Sequence, residues 1–263
     1  MSDSFLQDNG NEELWRTIFQ DGHPDLTKQQ WIHRLMPTKP RCRLCFSPFA
    51  GFGGWWQKTF RHRAPSSRNP NYCAACDEFL NKFPGGADVD LSLLFIDIRH
   101  STEFATHASP AEVNNRVNAF LDQATQAITD HDGFIMAFYG DCIVAVWPPG
   151  FCGQNHAAKA VECAAELTKH FSKHHDIPVG VGVHTGSVFM ATVQAAKGLF
   201  RDVSIFGSEV ILAARLAAEA NAYQALISEP CLQRSNQHHI AEDNGALTLK
   251  GFDAPIQTFR IGT

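Results

Sequence analysis

Apolar positions change their period along the chain, and the change divides it. In "LWRTIFQ" (14–20) and "LTKQQWIHRLM" (26–36) they recur at helical spacing, with Asp25 or Thr27 available as an N-cap. From Leu91 onward, short apolar strands alternate with amphipathic helices. "LSLLFIDI" (91–98) is a buried strand, and "SPAEVNNRVNAFLDQATQAI" opens on a capping box of Ser109, Pro110 and Glu112. "GFIMAFYGDCIVAVW" reads as two strands around a tight Tyr139-Gly140-Asp141 turn. A helix from Asn155 follows, and then "PVGVGVHTGSVFMATV", which predicts a second hairpin bent at Thr185-Gly186. A third helix over Ser208 to about Ala220 and short strands at "QALIS", "ALTLK" and "QTFRI" complete the order. This succession predicts an α+β sandwich, helices covering one face of a mostly antiparallel sheet, with no internal repeat.

Composition refines the division. The 263 residues, 44% apolar and 19% charged, fit one globular domain with a smaller module. No apolar run approaches the roughly 18 residues of a membrane span. The start, "MSDSFLQDNGNEELW", is polar and acidic where a signal peptide is basic and then apolar. A soluble, cytoplasmic protein that does not engage a membrane is expected. The net charge of −5 conceals an asymmetry: nine of the 22 Lys and Arg residues, and none of the 27 Asp and Glu, lie between Leu26 and Tyr72. The "FPGGADVD" break then suggests a helical segment over 1–40, a cysteine module over 41–88 and a main domain over 89–263.

Of eight cysteines, only Cys42, Cys45, Cys73 and Cys76 form a pattern, two C-x-x-C pairs. Four thiolates in paired knuckles can close a tetrahedron around structural zinc, and a segment poor in apolar residues gains stability from it. A redox pair fits a reducing compartment less well; an iron–sulfur cluster would use the same four ligands. The surrounding basic charge either offsets the tetrathiolate and the acidic main domain or binds nucleic acid. The first is preferred, with Phe46, Phe49, Phe52, Trp55 and Trp56 expected to cover a small core.

Two carboxylates carry candidate chemistry. Asp97 ends the first strand, and Asp141 sits at the hairpin tip that lies beside it if the first strand is central between the hairpin strands. Converging aspartates suit a hard cation, Mg²⁺ or Mn²⁺. "RHST" after Asp97 (Arg99, His100, Ser101, Thr102) can offer N–H groups to phosphate oxygens.

"LLFIDIRHSTEFA", "GFIMAFYGDCIVAVW", "VGVGVHTGSVFMATV" and "RDVSIFGSEVILAARLA" resemble, in order and spacing, the signature blocks of class III adenylate and guanylate cyclases. With the paired cysteines, the stretch from about Arg41 to Thr263 is similar to bacterial members with a cysteine-rich N-terminal module. The resemblance implies a ferredoxin-like catalytic domain and a homodimer with its sites at the subunit interface. It also implies two Mg²⁺ or Mn²⁺ ions per site and conversion of a nucleoside triphosphate to a 3′,5′-cyclic monophosphate and pyrophosphate. By this resemblance Asp97 and Asp141 are the metal-binding aspartates, and the Ile98 carbonyl completes one ion's coordination. Arg215, contributed by the partner, is the transition-state arginine, though an ion pair with Glu219 is an alternative use. Lys250 is a weaker triphosphate candidate.

The departures bear on the base. Ala137 replaces a base-reading lysine or glutamate, Ser204 holds the companion position, and Ile211 replaces a ribose-holding asparagine. Ser208 and His100 also differ from the family pattern. The loss of purine contacts beside intact catalytic positions resembles the pyrimidine cyclases of bacterial antiphage signalling, which make cyclic UMP or CMP. Phe138, Tyr139 and Phe206 can narrow such a pocket, and Arg99, His100 or Ser204 can read pyrimidine carbonyls. An adenylate cyclase with relaxed base contacts and a non-catalytic nucleotide sensor are the alternatives.

Overall fold

A computed structural model describes residues 10–36, 38–174, 177–195 and 200–262; the polar stretch 1–9 lies outside them. The chain divides into two compact units: one runs to Val89 and adds Phe189–Ile205, and the other comprises Asp90–Val188 and Phe206–Thr263. Among the described residues, no helix is long and apolar enough to cross a membrane.

The first unit begins with α1 (Glu12–Arg16), continued by a π-helical turn over Thr17–Asp21, and α2 (Pro24–Arg34). Neither Asp25 nor Thr27 caps α2. His23 is the cap and Pro24 takes the first turn, where its missing N–H costs nothing. Side chains from α2 hold the first cysteine knuckle: Gln30 donates to the Leu44 carbonyl at 2.8 Å, and the His33 imidazole meets that of Cys45 at 2.6 Å. Helices α3 (Gly51–Arg61) and α4 (Ala74–Lys82) follow. Trp15, Phe19, Leu44, Tyr72 and Leu80 are among the first unit's buried apolar positions. Phe52, Trp55 and Trp56 are exposed, contrary to the expectation that they cover a core.

The sheet is ordered β2-β3-β1-β4-β6-β8-β7, from β1 (Gly86–Ile98), β2 (Phe134–Tyr139), β3 (Cys142–Trp147), β4 (Val179–Ala195), β6 (Gln224–Ser228), β7 (Glu242–Leu247) and β8 (Ile256–Gly262), most of it in the second unit. An unforeseen strand, β5 (Phe200–Phe206), pairs with β4 off this path. The β1–β3, β2–β3, β6–β8 and β7–β8 pairs are antiparallel, and β4 and β6 pair in parallel. β1 lies beside the β2–β3 hairpin, next to β3, rather than between its strands.

The remaining helices are α5 (Ser101–His107), α6 (Pro110–Asp130), α7 (Pro149–Cys152), α8 (His156–His174), α9 (Ser208–Glu219) and α10 (Glu229–Ser235). The capping box of α6 forms as read, with Ser109 accepting from the Glu112 N–H and Glu112 accepting in return. Phe120 and Ile128 of α6, with Val161 and Leu167 of α8, pack on Leu94, Ile96, Val181, Ala225 and Ile227. Leu226 lies between the last two and faces the other way, against Leu212 and Leu216 of α9. The helices therefore cover both faces rather than one.

The bend expected at Thr185-Gly186 does not occur, because β4 runs straight through. Thr185 is buried and hydrogen-bonded to Ser92 at 2.7 Å. A Cβ at Gly186 would lie 2.9 Å from a Glu209 carboxylate oxygen, so this glycine makes room for a neighbour instead of a turn.

Candidate active site

β1 and β3 pair in a register that sets Asp97 opposite Cys142, so Asp141, one residue earlier in the turn, arrives beside the end of β1. Leu94, Ile96 and Ile98 point into the α6/α8 core, which sends Asp97 to the face that carries α9. The Asp97 carboxyl is held above its usual range by burial first and by the negative charge of Asp141 second. Asp141 Oδ2 is buried with no hydrogen-bond partner among the described residues. An unpartnered carboxylate oxygen facing a second carboxylate fits a hard divalent cation, whose charge would satisfy both. The Cys142 thiol, pushed up to about 12 by burial and by the two aspartates, stays protonated and outside that donor set.

Arg99 ties this corner to α9. Its guanidinium is 3.4 Å from Asp97 Oδ2 and donates to the Ala218 carbonyl at 3.0 Å, while its backbone N–H is given to the Pro178 carbonyl at 2.7 Å. That N–H therefore adds nothing to a phosphate cradle, and the guanidinium is engaged rather than open to a base. His100 is exposed in the left-handed region, 3.8 Å from Glu103, and Ser101 and Thr102 open α5.

Helix α9 lies directly on β4. A Cβ at Gly182 would come within 2.2 Å of the Ala217 nitrogen and 2.4 Å of the Ala213 oxygen, so glycine sets how closely the helix approaches. Arg215 is two residues from each of these contacts, so it leaves the helix on the side turned away from β4. It forms no ion pair with Glu219, and its Nε is buried and unpartnered among the described residues. Ile211, one turn earlier, is 53% exposed. Ala137 follows an irregularity in the pairing of β2 with β3 and sits opposite Val144. Ser204 lies on β5, and Lys250 is exposed in a turn. An open groove of about 490 Å³ bounded by Asn118, Asp122, Thr125 and Phe138 includes neither Asp97 nor Asp141.

A buried contact escaped the sequence reading. His184 of β4 lies between Ser228 of β6, at 2.7 Å, and the Glu209 carboxylate of α9. Burial lowers its pKa, and Glu209 opposes that shift. The three residues are far apart in the chain, and no local motif joins them. His184→Ala should cost about 2–3 kcal/mol in urea unfolding, because it strands a buried hydroxyl and a half-buried carboxylate.

In the first unit, the sulfurs of Cys42, Cys45, Cys73 and Cys76 all lie within 4.8 Å of one another. The Cys45–Cys73 separation of 3.7 Å matches the ~3.8 Å edge of a tetrahedron with zinc–sulfur arms of about 2.3 Å. Arg63 donates toward Cys45 at 3.2 Å and Cys73 at 3.8 Å, and the Cys73 N–H toward Cys42 at 3.2 Å. Such donors to sulfur accompany thiolate ligands. Four buried thiolates of one sign need a cation among them, and the donor set fits structural zinc.

The family profile described as "Adenylate and Guanylate cyclase catalytic domain" matches residues 87–262. The chain is 27% identical over 189 residues to an adenylate cyclase of Anabaena cylindrica, covering 65% of this chain and 36% of that protein. It spans about a third of the length of the curated relatives it matches. Among solved structures, the adenylyl cyclase CyaB from P. aeruginosa superposes with a TM-score of 0.62 at 24% identity, covering 68% of this chain and 96% of that one. The guanylyl cyclase Cya2 gives 0.61 at 23%, covering 67% and 93%. With two aspartates at the β1–β3 corner, an arginine on α9 and a profile match over two thirds of its length, the chain belongs to the adenylate and guanylate cyclase catalytic-domain family.

Proposed function

We propose that the chain is a nucleotide cyclase that converts a nucleoside triphosphate to its 3′,5′-cyclic monophosphate and pyrophosphate. A pyrimidine is the favoured base, with UTP preferred to CTP. The observation that carries the cyclase reading is the pairing of Asp97 with Asp141, one oxygen of which is buried and unpartnered. These carboxylates, with the Ile98 carbonyl, would hold two Mg²⁺ or Mn²⁺ ions. The ions would supply activation of the ribose 3′-hydroxyl and neutralisation of the leaving pyrophosphate. Arg99 keeps Asp97 oriented. Arg215, free of Glu219, is available to stabilise charge on the α-phosphoryl group of a substrate bound mainly by a second copy, so the working unit is a homodimer. Ser101, Thr102 and Lys250 are the remaining candidates for the triphosphate.

Support for a pyrimidine comes from what the surface lacks. Ala137 presents a methyl group, Ile211 cannot hold a ribose hydroxyl, and Phe138, Tyr139 and Phe206 are all exposed, bulky side chains. Ser204 and His100 then remain as hydrogen-bonding groups for a base, Arg99 being engaged. A triphosphate substrate places the reaction in the cytoplasm. Resemblance to antiphage pyrimidine cyclases makes the product a second messenger in antiviral defence. Adenylate cyclase activity is the second reading, favoured by the likeness to adenylate cyclases.

The test is competition among ATP, GTP, CTP and UTP with Mn²⁺ and mass identification of products. Cyclic UMP or CMP with purines spared is expected. Preferential cyclic AMP would establish the second reading, and nucleotide binding with no cyclic product would remove both.

A further inference from the structure

Helix α3 carries its bulk on the outside. It buries Gly54, against the Phe49 backbone, and Gln57, which reaches the Met36 sulfur at 4.0 Å. Phe52, Trp55, Trp56 and Phe60 are instead 43–77% exposed. This reverses the usual arrangement of a helix on a folded unit, which turns its apolar face inward. The rings also pack on one another, with centroids 4.3 Å apart for Trp56–Phe60, 5.6 Å for Phe52–Trp55 and 5.9 Å for Trp55–Phe60. They form a continuous apolar surface rather than scattered side chains. Lys58 and Arg61 are exposed on the same helix. The whole stretch from Leu26 to Tyr72 supplies no carboxylate to neutralise them.

Against the expectation of a protein that does not engage a membrane, we propose that α3 is an interfacial anchor that seats the protein on an anionic lipid surface, with its aromatic face in the headgroup layer and Lys58 and Arg61 against lipid phosphates. An eleven-residue helix cannot span a bilayer, but an aromatic face bordered by cations is suited to lie in its surface. The charge argues against a second copy as the occupant: a symmetric contact through this helix brings Lys58 and Arg61 toward their equivalents with no acidic residue of the segment between them. Ring geometry argues against single-stranded nucleic acid, because side chains covering one another offer few open faces for bases to stack on.

The full-length protein is sedimented with liposomes of phosphatidylcholine, either pure or containing about a third phosphatidylglycerol. Binding to the anionic liposomes, absent on the neutral ones and weakened by added salt, is expected. Trp55→Ser with Trp56→Ser, and separately Lys58→Gln with Arg61→Gln, should each lower the partition coefficient at least about tenfold. Their melting temperatures should stay within about 2 °C of the parent, since all four side chains are exposed. No partitioning of the parent to anionic liposomes, or equal partitioning of the tryptophan variant, overturns the proposal. So does a single-stranded oligonucleotide that binds the parent while liposomes do not. A tryptophan variant that changes oligomeric mass by light scattering without changing liposome binding overturns it as well.

Discussion

Asp141→Asn is expected to abolish cyclisation while leaving the metal-free protein at least as stable as the parent. The sign of the stability change follows from the site. Asp141 Oδ2 is buried without a partner, and Asp97, 38% exposed, has a carboxyl pushed up by burial and by Asp141. Without an ion, the folded state holds two like charges closer than the unfolded chain does. A carboxyl whose folded pKa is raised contributes stability below its unfolded value, near 3.8, and loses it as pH rises through the raised value. Near neutral pH, therefore, the pair is a liability that asparagine removes. Because Asp97 is partly solvated the gain is small, about 2–4 °C in chelator. The loss of turnover is large, at least about 10³-fold, because an ion-binding carboxylate supports several kcal/mol of transition-state stabilisation. Mn²⁺ should raise the melting temperature of the parent and not of the variant. Turnover within tenfold of the parent, or a metal-free variant that melts several degrees lower, would remove Asp141 from the metal site.

What could be read before the structure depended on how local each feature is. The capping box at Ser109 and Glu112 closes within four residues, and it forms as written. Asp97 and Asp141 are legible because one ends an apolar strand and the other sits at the tip of an apolar hairpin, and both places follow from local patterning. The same logic failed at Thr185-Gly186. A glycine can mark either a turn or a close approach, and only the presence of Glu209, 23 residues later, decides between them. β5 went unread because "FRDVSIF" lacks clean alternation. Ser228 and His184 illustrate the limit: a buried imidazole bridging two elements is set by topology. On α3 the error was of a different kind. Aromatic residues in a small module were assigned to its interior by average behaviour, yet the knuckles and α2 already supply a packed centre, and the helix meets it through Gly54 and Gln57.

Loss of metal from the cysteine cluster should unfold the first unit before the second. Cys42, Cys45, Cys73 and Cys76 are buried, and without a cation they cannot all be thiolates: hydrogen bonds from the other three draw the Cys73 thiol far down, while neighbouring sulfurs push Cys45 far up. The metal would hold these segments together at the point where they meet. Arg63 spans two sulfurs and Gln29 of α2, at 2.7 Å, and Arg41 reaches the carbonyls of His33 and Phe46, so α2, the first knuckle and the second knuckle share one centre. Cys45→Ser is expected to reduce bound zinc from about one per chain and to lower the melting temperature by about 10 °C, in line with a structural site worth several kcal/mol. Proteolysis at the many Lys and Arg residues between Leu26 and Tyr72 should accelerate first, while fragments from the second unit persist. Metal analysis distinguishes zinc from an iron–sulfur cluster, which would colour the protein and contain iron. A Cys45→Ser protein that keeps its melting temperature and loses cyclisation would show that these thiolates serve the reaction, because a purely structural tetrahedron fails by unfolding first.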